Sequence, residues 1–333
     1  MKIAKRNYTK EELLRYSNPE ALYGARKVEI ADGRACGQKL VEVKTLGGLR
    51  ASFMEDRCLD IFDLEYKGVN LAFLSKNGLV PSASIDPELD SFARYWQGGF
   101  LLTSGLRNSG PPCTYKDEFF PVHGRVGFIP AENVNVCVCD EEIVISGKIR
   151  ETALFGHSLE LERKITIPSD GSKIIVNDKV SNLTAEAETI FLLYHINFGF
   201  PFLSEDLKLE FPAGEVKGRT ASAQEKIDSH ALISPPIDGE PEQVFFHMAD
   251  KKDAKVNLTN EALGIKASVK YDTSRLPVLC HWKSMKSGDY ALGIEPSTST
   301  IRGRKEEIEN GYDVSVPAFG SLEFGFEVSF EDV

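Results

Sequence analysis

Residues 133–182 read NVNVCVCDEEIVISGKIRETALFGHSLELERKITIPSDGSKIIVNDKVSN. From Asn133 the first seven residues alternate polar and apolar without a break, and IVISGKI follows an acidic turn at Asp140 to Glu142. LELERKITI then sets Leu159, Leu161, Ile165 and Ile167 on one face, and KIIVNDKVSN continues the pattern. A period of two sends successive side chains to opposite faces, which is the signature of half-buried strands. Strands of this length separated by Gly, Asn, Asp and Pro turns predict antiparallel sheets.

The same pattern recurs outward from this stretch. VKGRT, AKVNLT, LGIKASVKYD and the C-terminal GSLEFGFEVSFEDV all read as strands. Helix signals are few. Thr9 and Glu12 form a capping box that predicts a short helix over residues 10–16, and Asp86 with Pro87 predicts a second helical start. No regular strand–helix alternation appears, which argues against a doubly wound α/β fold. The expectation is an all-β chain: one large β-sandwich domain over residues 1–333, with residues 1–25 as an extension carrying a short helix. The polar, Pro- and Gly-rich segment 212–243 reads as long surface loops over a site.

Composition narrows the function classes. The chain has 333 residues, 42% hydrophobic, with 39 basic against 50 acidic residues and a formal net charge of -11. That balance, with Lys and Arg scattered, offers no electrostatic footprint for nucleic acid. No apolar run approaches the roughly 18 residues of a membrane span, and MKIAKRNYTKEELL lacks the apolar core of a signal peptide. The six cysteines show no CxxC spacing, and Cys137 and Cys139 read as buried free thiols on a strand. A cytoplasmic location, with no membrane or nucleic-acid partner, is expected. A monomer or homodimer is expected as well.

Phosphate-binding and hydrolase signatures (GxxxxGK[ST], GxGxxG after a strand, GxSxG, HExxH) are absent, so chemistry has to come from single polar residues in apolar settings. In TIFLLYHINFGFPFL, residues 189–203, only His195 and Asn197 are strongly polar. His195 shares parity with Phe191 and Leu193, and the opposite face is apolar too, so this is a covered central strand. A polar pair there is costly unless it is bonded or used. In ALGIEP, Glu295 lies on the face of the small residues Ala291 and Gly293, which leaves room for a ligand. Arg57 with Asp60, Trp96, His123 with Arg125 in HGR, and His281, Trp282 and Lys283 in CHWK complete the candidates. Each also has a structural reading: His195 as a bonded core histidine, His123 as a turn residue, Trp96 as core, Arg57 as a partner of Asp60 or Glu55.

The order of Arg57, His123 in HGR, SNLT followed by YHINFGFP with His195, and GIEP with Glu295 resembles the aldose 1-epimerase (galactose mutarotase) superfamily. DRCLDI, YKGVNLAFLS, GGFLLTSGL, FPVHGRVG and WKSMKSGDYALGIEP resemble its branch of uncharacterised aldose-epimerase-like proteins, over roughly residues 25–330. The resemblance implies a galactose-mutarotase-like β-supersandwich, a small-molecule sugar substrate, and chemistry without a metal or organic cofactor. It implies Glu295 and His195 as the catalytic pair, with Arg57 and His123 binding substrate. On that reading Glu295 is the general base and His195, kept protonated by it, the general acid. Asn197, Trp96, Arg125 and Lys283 are further substrate-binding candidates, the last two for an anionic sugar. Where the family carries Asn-His-aromatic-Phe-Asn-Leu this chain has YHINFGFP. The family's substrate-binding Asp between the His and the Glu has no clear match, Asp60, Asp206 and Asp228 being poor substitutes.

Two other readings stay open at the level of sequence. The same acid–base pair could serve a different sugar isomerase, epimerase or lyase, with a divalent metal held by His123, His195 and Glu295. The fold could also hold carbohydrate without turning it over.

Overall fold

The computed structural model describes residues 2–3, 6–85 and 92–333. Its strands pair in antiparallel ladders throughout. An eight-stranded sheet runs in the order Glu132–Val138, Glu142–Thr152, Ser158–Pro168, Lys173–Asn182, Ser321–Asp332, Ile265–Asp272, Asp253–Asn260 and Leu207–Glu210. A six-stranded sheet runs Gly214–Gly218, Gln243–Ala249, Val278–Lys286, Asp289–Ser297, Leu193–Phe198 and Leu101–Ser104. A five-stranded sheet is built from residues 24–70. This is the antiparallel, all-β architecture that the alternating pattern predicts.

The core forms where the apolar faces of these sheets meet. Ile143, Ile145, Leu159, Leu161, Ile165, Ile174 and Val176 of the large sheet share one cluster with Tyr194, Ile196, Phe198, Leu292 and Ile294 of the six-stranded sheet. The even-numbered residues of Leu193–Phe198 thus face the core. His195 and Asn197 fall on the other face, where Trp96 and His123 pack against His195 and the Gly99 carbonyl accepts from Asn197.

One charged group crosses that core. Arg163 lies on the apolar face of its strand, is fully buried, and bridges Asp60 at 2.8 Å and Asp178 at 2.7 Å, both fully buried as well. Thr103 donates to Asp60, and the Tyr194 hydroxyl donates to Asp178 at 2.8 Å. A buried charge left without such partners would cost several kcal/mol. The network ties the strand of His195 to both neighbouring layers.

Local expectations fare unevenly. The capping box forms, with the Glu12 N–H donating to Thr9 Oγ1 at 3.1 Å and the helix spanning Lys10–Tyr16. The helical start at Asp86 and Pro87 lies outside the described residues; a single turn follows at Phe92–Tyr95. Segment 212–243 holds the Gly214–Gly218 strand and an Ala221–Glu225 helix, so it is more ordered than a run of loops. Cys137 and Cys139 are exposed rather than buried, their sulfurs 3.1 Å apart: Glu132–Val138 is an edge strand, and it is Val134 and Val136, on the other parity, that pack against the core. No helix among the described residues is long and apolar enough to cross a membrane.

Candidate active site

Register assembles the site. Leu193 pairs with Ser297 and Ile196 with Ile294, which sets His195 directly across from Glu295. On its other side Glu295 faces Cys280, and Cys280 faces Phe246. One row along, Asn197 faces Gly293, Gly293 faces Trp282, and Trp282 faces Val244. These side chains share one face because their positions differ by two along each strand.

His195 Nδ1 lies 3.3 Å from Glu295 Oε1, and both side chains are nearly sealed from solvent, at 8% and 1% exposure. The approach is not aligned as a hydrogen bond, and neither atom has another partner among the described residues. Buried polar atoms are normally paired, so two facing orphans mark a place where something else is meant to bind. The Glu295 carboxylate folds back over Gly293, occupying the room that the small residue leaves.

Aromatic rings wall the pair. Trp96, Trp282 and His123 lie 5.4, 5.5 and 5.7 Å from the His195 ring, centroid to centroid. Phe92 stacks on Trp96, and Phe73 packs against both tryptophans. Such faces suit the apolar side of a sugar ring while their edges carry polar handles. Trp96 Nε1 is buried without a partner among the described residues, whereas Trp282 Nε1 donates to Glu242 at 2.9 Å.

Burial governs protonation. It pushes His195 down to about 4, with a contact to Asn197 pulling weakly the other way. It pushes Glu295 well above the usual carboxylate range, Glu242 adding to the rise and Arg219 opposing it. His123 is lowered to about 3 by burial, then by His195 and Arg219. Both shifts favour the uncharged forms, an imidazole beside a carboxylic acid, over the ion pair. Against the expectation of a protonated His195 beside an anionic Glu295, burial is the largest influence on both groups and disfavours either charge.

The remaining candidates divide. His123 joins the cluster in a left-handed backbone conformation, φ +57°, its main chain bonded to Gly110 and Gly105. Asn197 is on the site face, but its amide donates to the carbonyls of Gly99 and His195, leaving Oδ1 free. Arg57 is fully buried and donates to Val80 O, Tyr95 O and Gln97 Oε1. It braces the segment that carries Trp96 instead of pairing with Asp60 or Glu55. Three candidates do not reach the pair, the first being His281, which lies on the opposite face of the sheet from Trp282. Lys283 lies on the opposite face of the sheet, its ammonium held by His230 O and Leu232 O at 3.0 and 2.6 Å. Arg125 donates to Phe119 O at 3.1 Å, and its charge acts on Glu151 and His157.

Two residues that sequence reasoning missed belong here. Arg219 donates its main-chain N–H to Val244 O, which sets it on the site face beside the Trp282 row, and its charge acts on Glu295 and His123. Glu242 holds Trp282 and acts on Glu295 from the same side. It is a carboxylate between His195 and Glu295 in the chain that bonds a residue of the aromatic wall, whereas Asp60 is committed to Arg163. Its only sequence signal is its place just before an apolar strand.

Solved structures share this architecture. A Klebsiella pneumoniae protein described as a candidate aldose 1-epimerase superposes with a TM-score of 0.88 at 21% identity, covering 95% of this chain and 87% of its own. A galactose mutarotase-like protein from Clostridium acetobutylicum gives 0.68 at 15%, covering 94% and 100%. A galactose 1-epimerase from Lactobacillus acidophilus gives 0.63 at 10%, covering 93% and 99%. At these identities the likeness speaks for the fold. No curated protein matches the sequence. The family model described as a domain of unknown function, DUF4432, matches residues 35–330, and the chain belongs to that family.

Proposed function

We propose that this chain interconverts the anomers of an aldose or a modified aldose. The observation that carries the reading is the buried, facing pair of His195 and Glu295, 3.3 Å apart within an aromatic wall. Anomer exchange needs one group that accepts the proton of the C1 hydroxyl and another that donates to the ring oxygen as the C1–O5 bond breaks. The aldehyde then turns about C1–C2, and closure returns both protons.

A neutral imidazole and a carboxylic acid supply one acceptor and one donor without a net change in charge. In the ring-opening half His195 accepts and Glu295 donates, and the roles reverse on closing. This inverts the roles expected from sequence, and is supported by burial favouring the protonated form of Glu295. Water exclusion by Trp96, Trp282 and Phe73 strengthens both transfers. The Arg219 and Glu242 charges at the edge, with His123, suit recognition of hydroxyls around the ring. No step in this scheme calls on a redox or group-transfer cofactor.

The test is proton NMR of freshly dissolved anomers across a panel of aldoses, deoxy sugars and uronic acids. Acceleration for one class supports the reading and names the substrate class; no acceleration across the panel rejects it.

A further inference from the structure

The opposite face of the six-stranded sheet carries a second polar cluster that this chemistry does not use. His247 and His281 sit on adjacent strands, His281 across from Phe245 and His247 two residues further along the same face. His230 comes in from the turn that follows Ile227–Ser229. Ligand nitrogens from the three rings all lie within 4.8 Å of one another.

Five of the ring nitrogens, both of His247, both of His281 and Nδ1 of His230, are buried without a hydrogen-bond partner among the described residues. His247 and His281 are 2% and 0% exposed. An apolar cluster needs no imidazoles, and each unpaired buried nitrogen costs on the order of 1–3 kcal/mol. Phe211 and Phe245 pack around the three rings and would pack as well against phenylalanine.

We propose that His230, His247 and His281 form a site for a divalent transition-metal ion of the zinc class, which clamps the 226–232 segment onto the sheet. Three neutral imidazoles match zinc, copper, nickel or cobalt and disfavour magnesium and calcium, which take oxygen. Zinc holds nitrogen at roughly 2.0–2.1 Å, so the three rings close by about an ångström on binding. His230, on a turn and half-buried, is the ring placed to move. The rings of His247 and His281 are sealed from solvent and make no hydrogen bond among the described residues, so their lone pairs are not committed elsewhere. Lys283 is the opposing charge. Its ammonium is committed to two carbonyls of the same segment. Three protein ligands leave a fourth position to water.

The experiment is equilibrium binding of Zn²⁺ to the full chain after chelator treatment, against a chromophoric chelator, with Co²⁺ as a spectroscopic probe. The expected result is one tightly held equivalent and a visible d–d band typical of tetrahedral cobalt. His230→Ala, on the turn and safest for folding, is expected to weaken zinc by at least about 100-fold, beyond the 10–100-fold that outer partners carry. His247→Phe and His281→Phe are expected to abolish the cobalt band, while His195→Asn leaves it intact. Absence of stoichiometric zinc binding to the folded wild-type chain overturns the proposal. So does zinc affinity unchanged in folded His230→Ala, or a cobalt band that disappears with His195→Asn instead. These readouts do not depend on sugar turnover, so they stand or fall apart from the activity proposed above.

Discussion

The carboxylate of Glu295 occupies the space where Gly293 lacks a side chain: a Cβ built at position 293 would lie 2.0 Å from Glu295 Oε1. The glycine thus lets the carboxylate fold back to within 3.3 Å of His195. Gly293→Ala is expected to push the carboxylate aside and lower kcat about 100-fold, the scale on which a 1 Å misplacement acts. The nearest displaced group is the end of a flexible side chain, but the new methyl also comes within 3.1 Å of Trp282 Cβ, so a modest fall in Tm is expected beside the loss of turnover. Parallel measurement of turnover and Tm checks both halves.

The pH profile follows from the neutral pair. As pH falls, His195 takes up a proton near 4 and ceases to accept one from the sugar. As pH rises, Glu295 loses its proton only well above the usual carboxylate range and ceases to donate. Activity is therefore expected to be level through weakly acidic pH, with an acid limb near 4 and an alkaline limb from Glu295. These are properties of the pair as a unit. A rate that instead rises as pH falls through the ordinary histidine range would restore the protonated-histidine scheme.

Arg163 predicts a stability effect with its own signature. Replacing it by Met leaves Asp60 and Asp178 buried and unpaired, at an expected cost of about 3–5 kcal/mol. Denaturant unfolding of Arg163→Met against Tyr194→Phe separates the charge from a single bond, since the latter removes only the 2.8 Å hydrogen bond to Asp178. The Tyr194 variant is expected to lose about 1 kcal/mol.

The aromatic wall predicts a binding effect. Trp96→Ala is expected to raise KM about tenfold, the loss of roughly 1–1.5 kcal/mol of ring contact, and to lower kcat as well because water then reaches the pair. The two tryptophans of the chain are Trp96 and Trp282, both against His195. Intrinsic fluorescence is therefore expected to change on addition of the turned-over sugar and to give its Kd directly.

Much of this was legible in the sequence, and the limits have physical causes. Period-two alternation locates the strands, and the capping box locates the first helix, because both are local. His195 and Glu295 stand out because a polar residue in an apolar strand is conspicuous. Lys283 was misassigned against a rule the sequence itself supplies: adjacent strand residues face opposite sides, so Trp282 and Lys283 cannot share a site. Arg163 and Asp178 were likewise visible as charges on apolar faces, but their pairing depends on register. Arg219, Glu242 and the three histidines converge only once strand order is known. Burial of Cys137 and Cys139 could not be read from alternation, since an edge strand alternates as well as an inner one.

The central claim is that His195 and Glu295 exchange the anomeric proton. The most direct measurement is the rate of anomer interconversion by NMR for wild type, Glu295→Gln and His195→Asn, on the sugar the wild type accelerates. Loss of about 100-fold or more in each variant, with native circular dichroism and tryptophan emission, is the predicted result. Wild-type rates in either folded variant would contradict it.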